Sequence, residues 1–342
     1  MRTVKNSPIR LRVLSKALSV PGQGVGSAYL EQLQLIQQSK EIKPILKGGD
    51  FDALHIHTIN FRYLLMLWAT KKPAIMYVHF LPSTLDKSIR LPSFIFGFFK
   101  WYVKSFYKAA DYLVVVNPIF IAPLVMMGIP QYRIHFIPNY VNETKFLSTT
   151  SRDALREKYQ FKRFTVLGVG QVQHRKGIMD FIATAKALPH LDFVWAGGFS
   201  FKGITSGYEE LKAVMDNPPK NVRFLGIIPR EAMKDLYAAS DVFFLPSLDE
   251  LMPMSVLEAA VNLKPILLRD LPLYQPVFFD HYLKAHDVAG FVKILNGLSQ
   301  EKTQQDEAVH LSQNLRNAYR QDVILKQWES FYKEVVKRGK TH

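Results

Sequence analysis

Apolar, strand-like segments alternate with helix-like segments along this chain, and this alternation constrains the fold more than any other feature. Five strand-like segments occur in the first half, at 9–15, 52–58, 73–80, 111–117 and 133–139, and five in the second, at 164–170, 192–198, 221–226, 241–247 and 265–270. A β-then-α order predicts parallel sheets covered by helices on both faces. The sequence therefore predicts an α/β protein with two Rossmann-like, parallel-sheet domains.

A polar stretch interrupts the alternation and sets the expected boundaries. We predict a first domain over 1–142, a linker over 143–160, a second domain over 161–315, and a C-terminal helix over 316–342 that packs back on the first domain. Two such domains favour an active site in the cleft between them, outside the carboxyl ends of the strands. Residues 40–52 leave little room for a full strand and helix.

The charge balance points to an anionic partner. Lys and Arg number 44 against 29 Asp and Glu, a formal net charge of +15. Nucleic acid, an acidic membrane surface or a phosphorylated ligand would each suit such a chain. The absence of cysteine excludes disulfides and thiolate metal sites. We find no signal-peptide pattern and no run of about 18 apolar residues, so no segment is expected to span a membrane.

Glu250 and Glu258 lie where the strand-like segment 241–246 meets a helix predicted to start near Met254. The unpaired N–H groups and the dipole of a helix N-terminus suit a phosphate. Since carboxylates repel phosphate, we expect these two to bind hydroxyls on either side of it, as in a nucleotide sugar. The alternative is a loop acid and a first-turn acid that merely complements the dipole.

Arg175 and Lys176 precede Gly177 and a probable helix at the end of strand-like segment 164–170. Cations are electrostatically unfavourable at a helix N-terminus, so an anionic ligand would explain them. A solvated basic turn is the alternative.

Gly22, Gly24 and Gly26 form a glycine loop between the first strand and the first helix. Such a loop can approach a phosphate or a sugar closely. A dinucleotide site or a plain structural turn are alternatives, although the full GxGxxG pattern is missing.

Three histidines accompany the first-half strands. His79 ends its strand and therefore belongs to the rim where a ligand is expected. His55 and His57 share one strand face, and a satisfied buried histidine is the favoured interpretation for both. No third ligand is evident for a metal site there.

The segment 87–113 combines lysines with many aromatic residues. Pro92 suits a helix start, and Lys100, Lys104 and Lys108 recur on one helix face next to Trp101. This pattern is typical of a helix that lies at a membrane surface. A core helix with one wet face is the alternative, and an RNA-binding surface is disfavoured because the aromatics fall within one helix.

Several motifs together resemble the retaining glycosyltransferases of family four, whose fold is the two-domain GT-B fold. They are GVGS (24–27), DALHIHT (52–58), VHF (78–80), IPNYVNETKF (137–146), GVGQVQHRKG (168–177), the stretch 221–247, and Glu250 to Glu258 with seven residues between. The resemblance covers nearly the whole chain, and it is the order and spacing of the motifs that make it specific.

The resemblance implies a role for each candidate residue. Glu258 would hold the nucleotide ribose, Glu250 the hydroxyls of the donor sugar, and His79 would contact the transferred sugar. Lys176 would neutralise the diphosphate of the leaving group. The remaining implied donor contacts are Gly24, Gly26, Arg175, Met252 and Met254. Neither a metal ligand set nor an essential cofactor is expected, with at most a non-essential Mg²⁺.

This chain departs from the family pattern at two places. Gln171 stands where the family usually has arginine, and Leu251 and Pro253 stand where glycines are common. Because proline has no N–H to offer a phosphate, the backbone around the diphosphate is expected to differ.

Within the family, the N-terminal segment and the basic aromatic helix look like bacterial glycolipid synthases. The resemblance implies a UDP-hexose donor, glucose or galactose, and a membrane acceptor such as monoglucosyl-diacylglycerol. It implies a peripheral enzyme on the cytoplasmic face of the cell membrane, at an anionic surface, with no nucleic-acid partner. A polysaccharide or polyprenyl-linked acceptor is the alternative within the family. A nucleic-acid-binding or scaffold protein with a degenerate transferase fold is the alternative outside it.

Overall fold

A computed structural model describes residues 7–16, 24–81, 93–199 and 207–341. The chain divides into two compact units, one of Met1–Tyr140 with Gln321–His342 and one of Val141–Arg320. Each unit contains a six-stranded sheet in which all the pairings between strands are parallel. The predicted fold class, α/β with two Rossmann-like parallel-sheet domains, is confirmed.

The sheet of the first unit has the strand order β2-β1-β3-β4-β5-β6. Its strands are β1 (Ile9–Leu14), β2 (Ile42–Ile45), β3 (Ala53–Ile56), β4 (Ala74–Val78), β5 (Tyr112–Val115) and β6 (Ile134–Phe136). Sequence patterns located every strand except β2. A four-residue strand fits between residues 40 and 52 because the chain then turns through Gly48 and Gly49, both at positive φ, and reaches β3 without a helix.

Helices cover both faces of this sheet. They are α1 (Gly24–Ile36), α2 (Phe61–Ala69), α3 (Ser93–Ala109), α4 (Ile121–Met126) and, from the end of the chain, α14 (Gln321–Arg338). From β1 the chain moves to β2 on one side of the sheet order, and from β3 it moves the other way, through β4 and β5 to β6. Because such connections are right-handed, α1 lies on one face of the sheet, and α2, α3 and α4 lie on the other face. Helix α14 contacts α1, β1 and β3, and therefore lies on the face of α1.

The sheet of the second unit has the order β12-β11-β10-β7-β8-β9. Its strands are β7 (Thr165–Val169), β8 (Asp192–Ala196), β9 (Val222–Gly226), β10 (Val242–Leu245), β11 (Ile266–Arg269) and β12 (Leu283–Ala285). The first five correspond to predicted segments. The sixth was not predicted, since it is a partly exposed edge strand whose sequence, LKA, has no continuous apolar run.

The helices of the second unit begin within the segment that the sequence pattern assigned to a linker. They are α5 (Glu143–Phe146), α6 (Arg152–Tyr159), α7 (Ile178–Ala187), α8 (Tyr208–Asp216), α9 (Arg230–Ala239), α10 (Met254–Val261), α11 (Gln275–Phe278), α12 (Val288–Gln300) and α13 (Lys302–Ala318). Helices α5 and α6 both pack against α9, within the second unit. Within the described ranges, no helix of either unit is long and apolar enough to cross a membrane.

The order of connection creates a switch point in each sheet. In the second unit the chain runs outward from β7 through β8 to β9, then returns to the other side of β7 with β10. In the first unit the direction reverses between β1 and β3. Loops diverge above such points and leave a crevice at the carboxyl ends of the strands, the usual ligand position in open α/β sheets.

Candidate functional site

Two loops of the second unit meet at its switch point, one after β7 and one after β10. The loop after β7 ends in a short 3₁₀ turn, His174–Lys176, and the backbone carbonyl of Arg175 accepts a hydrogen bond of 2.7 Å from the N–H of Leu248 in the other loop. Gly177 closes the turn at a φ of 73°, and a Cβ there would lie 2.1 Å from the carbonyl oxygen of Pro246. Only glycine permits this approach, and it brings the cations of one loop to the carboxylate of the other.

Lys176 and Glu250 form a buried ion pair at this junction. The Lys176 ammonium donates to Oε1 of Glu250, which also accepts a hydrogen bond of 2.9 Å from the Ser247 hydroxyl. The Arg175 guanidinium lies 3.6 Å from Oε2 of the same carboxylate. The two loops therefore bring together three of the predicted site residues, Arg175, Lys176 and Glu250.

Burial and the attraction between the two charges have opposite effects on the pKa values of Lys176 and Glu250. Burial lowers the pKa of Lys176, against the attraction of Glu250. Burial alone would raise the pKa of Glu250, but attraction to Lys176 and Arg175, with the hydrogen bonds from Lys176 and Ser247, brings it below the ordinary value. Glu250 is therefore an ionised carboxylate that only accepts hydrogen bonds, which suits contact with hydroxyl groups.

Glu258 lies one turn inside α10 and is also buried, with 7% of its surface exposed. The hydroxyl of Tyr237, on the neighbouring helix α9, donates to Oε2 of Glu258 at 2.8 Å. Burial and the nearby Glu258 charge raise the pKa of Tyr237 well above its ordinary value, so the phenol stays protonated and keeps donating. The orientation of the Glu258 carboxylate is thus set from a second helix.

The N-terminus of α10 separates the two glutamates. The helix begins at Met254, as predicted, with Pro253 in the cap position and no acidic residue in the first turn. Met252 is buried and Met254 is half-buried. Because the first turn carries no negative charge, the partial positive charge of the helix end is not compensated locally.

In the first unit, the structure corrects the expected position of the glycine loop. Gly24 and Gly26 lie in the first turn of α1 and not in a loop before it. The first residues of a helix leave their N–H groups without intrahelical partners, so this turn can offer backbone donors to a ligand. Gly22 lies outside the described residues, as does Pro92.

His55, His57 and His79 form a buried row beneath α1 and α14. The ring centroids are 4.6 Å apart between His55 and His57, and 5.7 Å between His57 and His79. Nδ1 of His55 lies 2.8 Å from the hydroxyl of Tyr332. Both ring nitrogens of His57 and Nε2 of His79 have no hydrogen-bond partner among the described residues. His55 and His57 are buried, as predicted, and the part of the chain that the structure describes supplies a hydrogen-bond partner to His55 but not to His57.

Burial keeps this row uncharged. It lowers the pKa values of His55 and His79 to about 3, and that of His57 well below its ordinary value. Neutral imidazoles can exchange hydrogen bonds with uncharged groups such as sugar hydroxyls. Across the described ranges, no group of three or more His, Cys, Asp or Glu side chains could hold a metal ion.

Helix α3 exposes the predicted surface residues. Lys100, Lys104 and Lys108 are exposed along one face, and Trp101 beside them has 59% of its surface exposed. The opposite face, with Val103, Phe106 and Tyr107, is fully buried. One face of the helix therefore packs in the core, as the alternative interpretation required. The opposite face is exposed and carries the three lysines and an aromatic ring.

Sequence patterns missed three polar residues of the second-unit site. Ser247 lies two residues after the end of β10, and its position near the carboxyl end of a strand was the available signal. Tyr237 and Tyr274 are fully buried among apolar residues of helices and loops, so their spacing resembles that of core positions. Burial, followed by the charge of Glu250, raises the pKa of Tyr274 well above its ordinary value, so its phenol stays protonated.

Two family models match the chain. One, described as Glycosyl transferases group 1, matches residues 151–318, and the other, described as Glycosyltransferase Family 4, matches residues 12–145. The models thus divide between the halves of the chain that contain the two sheets.

Relatives and solved structures agree with these models. The chain is 39% identical to the α-galactosylglucosyldiacylglycerol synthase of Streptococcus pneumoniae strain ATCC BAA-255 / R6, over 98% of this chain and 92% of the relative. It is 24% identical to the processive diacylglycerol α-glucosyltransferase of Acholeplasma laidlawii, over 89% and 95%. Among solved structures, Anabaena HepE in complex with UDP-glucose superposes with a TM-score of 0.74 at 13% identity, over 95% of this chain and 100% of that chain, a likeness that shows the fold. The chain belongs to the family-four glycosyltransferases, which have the GT-B fold.

Proposed function

We propose that this glycosyltransferase moves a hexose from a UDP-sugar to a glycosyl-diacylglycerol in the membrane, giving a diglycosyl-diacylglycerol. The observation that carries the proposal is the 39% identity, over 98% of the chain, to a relative named for the synthesis of galactosylglucosyldiacylglycerol. The buried Lys176–Glu250 pair at a switch point supports the donor half of the reaction. Galactose is the proposed transferred sugar and monoglucosyl-diacylglycerol the proposed acceptor.

The proposed donor site uses the charges of the second unit. Glu258, oriented by Tyr237, accepts hydrogen bonds from the ribose hydroxyls, and Glu250 accepts them from the hydroxyls of the donor sugar. The diphosphate lies between them, near the uncompensated N-terminus of α10 and the Arg175 guanidinium. Met252 and Met254 are the proposed apolar contacts of this site.

In the proposed transfer, the bond between the sugar and the diphosphate breaks, a bond forms between the sugar and the oxygen of an acceptor hydroxyl, and the proton of that hydroxyl passes to the departing diphosphate. Lys176 donates to the phosphate oxygen that gains negative charge as the UDP leaves. A fixed ammonium in a buried site stabilises that charge without reorganising. We propose that no metal ion is needed, with at most a non-essential Mg²⁺, and that the anomeric configuration is retained.

The first unit supplies proposed contacts to the transferred sugar. The neutral His79 imidazole exchanges hydrogen bonds with a sugar hydroxyl, and the first turn of α1, with Gly24 and Gly26, offers backbone N–H donors. Among the residues that the structure describes, Nε2 of His79 has no hydrogen-bond partner, and a buried polar atom of this kind is costly unless a ligand satisfies it.

A lipid acceptor requires the enzyme to work at a membrane surface. We propose that the exposed face of α3, with Lys100, Trp101, Lys104 and Lys108, contacts an anionic membrane at its cytoplasmic side. Each lysine near such a surface contributes about 1 kcal/mol to binding. The net charge of +15 favours the same partner.

A glucose donor is the second candidate. It is motivated by the relative from Acholeplasma laidlawii, which is named as a processive diacylglycerol α-glucosyltransferase. Galactose and glucose differ in the configuration at one hydroxyl, so the two candidates share every contact proposed above.

The deciding experiment incubates the protein with UDP-galactose or UDP-glucose and monoglucosyl-diacylglycerol in vesicles containing anionic lipid. The product is identified by mass, linkage and anomeric configuration, with and without a metal chelator. A diglycosyl-diacylglycerol formed from UDP-galactose is the expected result. Transfer only to a soluble sugar or a polyprenyl-linked acceptor would contradict the proposal, and an inverted linkage would contradict retention alone.

A further inference from the structure

Helices α2, α3 and α4 of the first unit form a single layer on one face of its sheet. Their connections all run in the same direction along the sheet, which places the helices on the same side. Helix α2 contacts α3, and a Cβ at Gly128, just after α4, would lie 3.5 Å from the Lys108 ammonium at the end of α3. We call this surface the α2–α4 layer.

Helix α2 presents large apolar side chains to solvent. Phe61, Leu65 and Trp68 have 63%, 46% and 60% of their surface exposed. Their spacing of four and three residues aligns them on one face, while Leu64 and Leu67 fill the core from the other side. A helix that only covers a sheet carries polar residues on its outer face, so an apolar stripe of this kind marks a contact surface.

The stripe continues onto the neighbouring helices. Phe98 on α3 is 67% exposed, and Met126 at the end of α4 is 81% exposed. The exposed large apolar residues of the α2–α4 layer are Phe61, Leu65, Trp68, Phe98, Trp101, Ile119, Val125 and Met126.

The segments that form the α2–α4 layer carry charges of one sign. Residues 61–72, 93–110 and 117–133 contain no Asp or Glu. Exposed cations border the stripe at both ends, with Arg62 at its start and Lys71 and Lys72 just beyond its end. Apolar and aromatic side chains ringed by cations match the acyl boundary and the headgroups of an anionic bilayer.

A second copy of the chain fits this surface poorly. A two-fold contact places each patch against itself, so the cations of one copy would face those of the other. Like charges brought together in this way repel, and the segments supply no carboxylate to separate them.

We propose that the α2–α4 layer docks on anionic bilayers, with Phe61, Leu65 and Trp68 inserted at the acyl boundary and Arg62, Lys71 and Lys72 at the lipid phosphates. This goes beyond the proposed function, which relies on α3 alone for membrane contact. Docking of this kind requires neither the donor nor the acceptor sugar.

Tryptophan fluorescence tests the insertion of α2 directly. All four tryptophans lie in the described residues, and Trp195 and Trp328 are buried. In a Trp101→Phe variant, Trp68 is therefore the single exposed tryptophan. On addition of phosphatidylglycerol/phosphatidylcholine vesicles, we expect the emission to move to shorter wavelength and to be quenched by lipids brominated on the acyl chain. Emission unchanged by vesicles would overturn the proposal.

A matched pair of variants tests the contribution of the stripe to binding. Joint replacement of Phe61, Leu65 and Trp68 by serine is expected to weaken vesicle partitioning at least about tenfold. Replacing Val323 and Val336 by serine is expected to leave it unchanged, because these exposed residues of α14 belong to the opposite side of the sheet. Equal partitioning of both variants would contradict the proposal.

Two further measurements distinguish lipid docking from self-association and from a defect in the donor site. A blue shift of Trp68 that follows protein concentration without vesicles would identify a second copy of the chain as the occupant and overturn lipid docking. UDP binding, measured by calorimetry without lipid, reports on the donor site alone. Loss of UDP binding with intact docking would count against the proposed function and leave the docking surface supported.

Discussion

The hydroxyl of Tyr237 lies 2.8 Å from Oε2 of Glu258 and donates a hydrogen bond to it, although the two residues belong to different helices, α9 and α10. Both side chains are buried. Because the carboxylate is already held in one orientation, less conformational entropy is lost at the site when a ligand binds. Tyr237 is therefore a positioning residue for the proposed ribose contact.

Replacing Tyr237 by phenylalanine is expected to raise KM for the UDP-sugar about tenfold and to leave kcat nearly unchanged, since a hydrogen bond to a charged group is lost but the reacting atoms are not touched. Steady-state kinetics check this split. Tyr319→Phe is the matched control, because that buried phenol donates to the carbonyl of Val277. It is expected to lower stability without a change in KM, and an equal KM effect in both variants would count against the positioning role.

Glu258→Ala is expected to weaken UDP binding, because the proposed acceptor of the ribose hydroxyls is removed. If the contact is to the ribose, calorimetry will show a loss of affinity both for UDP and for uridine. Unchanged affinity for either ligand would refute the assignment. Glu258→Gln keeps the shape but not the charge and is expected to bind with intermediate affinity.

Lys176→Met is expected to lower kcat strongly and to cost about 3 to 5 kcal/mol of stability, because Glu250 then remains buried without its ammonium partner. Kinetics and urea denaturation measure the two effects. The double variant Lys176→Met with Glu250→Gln removes both charges and is expected to recover stability but not activity. Recovery of activity in the double variant would contradict a direct role for Lys176 in stabilising the leaving group.

The histidine row predicts that stability falls as the pH is lowered from about 6.5. The pKa of His55 is lowered by burial to about 3, so at intermediate pH the unfolded chain binds a proton that the folded chain does not. The same sign holds for His57 and His79. Each histidine contributes a slope of about 1.4 kcal/mol per pH unit in this range.

A single variant isolates one member of the row. His57→Leu is expected to reduce the slope of the unfolding free energy against pH by about 1.4 kcal/mol per unit between about pH 4.5 and 6. Replacement of the exposed His190 by leucine serves as the control. Urea denaturation at several pH values gives the slope, and an unaltered slope in the His57 variant would show that this imidazole already carries a proton in the folded state.

Joint replacement of Lys100, Lys104 and Lys108 by glutamate is expected to abolish sedimentation with anionic vesicles, since each lysine supplies about 1 kcal/mol and each glutamate adds repulsion. Affinity for UDP is expected to survive. The same charge change at three exposed lysines of the second unit, Lys186, Lys220 and Lys302, controls for net charge. If vesicle binding persists in the α3 variant but is lost in the control, the prediction is contradicted, and the basic contact with the membrane lies outside this helix.

Much of the fold could be predicted because parallel strands buried on both faces have near-continuous apolar sequences. This pattern located ten of the twelve strands and the start of α10 at Met254. It missed β2 and β12, two edge strands in which a lysine, and in β2 also a proline, interrupts the apolar run. It also placed Gly24 and Gly26 in a loop, because glycine spacing does not distinguish a loop from the first turn of a helix.

The charged residues of the candidate site were also predicted from the sequence. Arg175, Lys176 and Glu250 lie in loops that follow strands, and Glu258 lies near the start of a helix, where parallel-sheet proteins collect ligand-binding residues. Exposure was harder to predict. No pattern in the sequence marked the apolar residues of α2 as exposed, and only the structure places Phe61, Leu65 and Trp68 in solvent.

The alternation of strands and helices, the excess of cations and the spacing of Glu250 and Glu258 follow from the order of residues, because hydrophobic period and charge are local properties. Partners that are distant along the chain are a property of the tertiary structure. The pairing of Lys176 with Glu250, the hydrogen bond from Tyr237 to Glu258 and the row of buried histidines exist because β10 returns beside β7 and α14 returns beside β3. Packing alone brings those groups together. It also removes the water that would otherwise form hydrogen bonds with them or stabilise their charged forms.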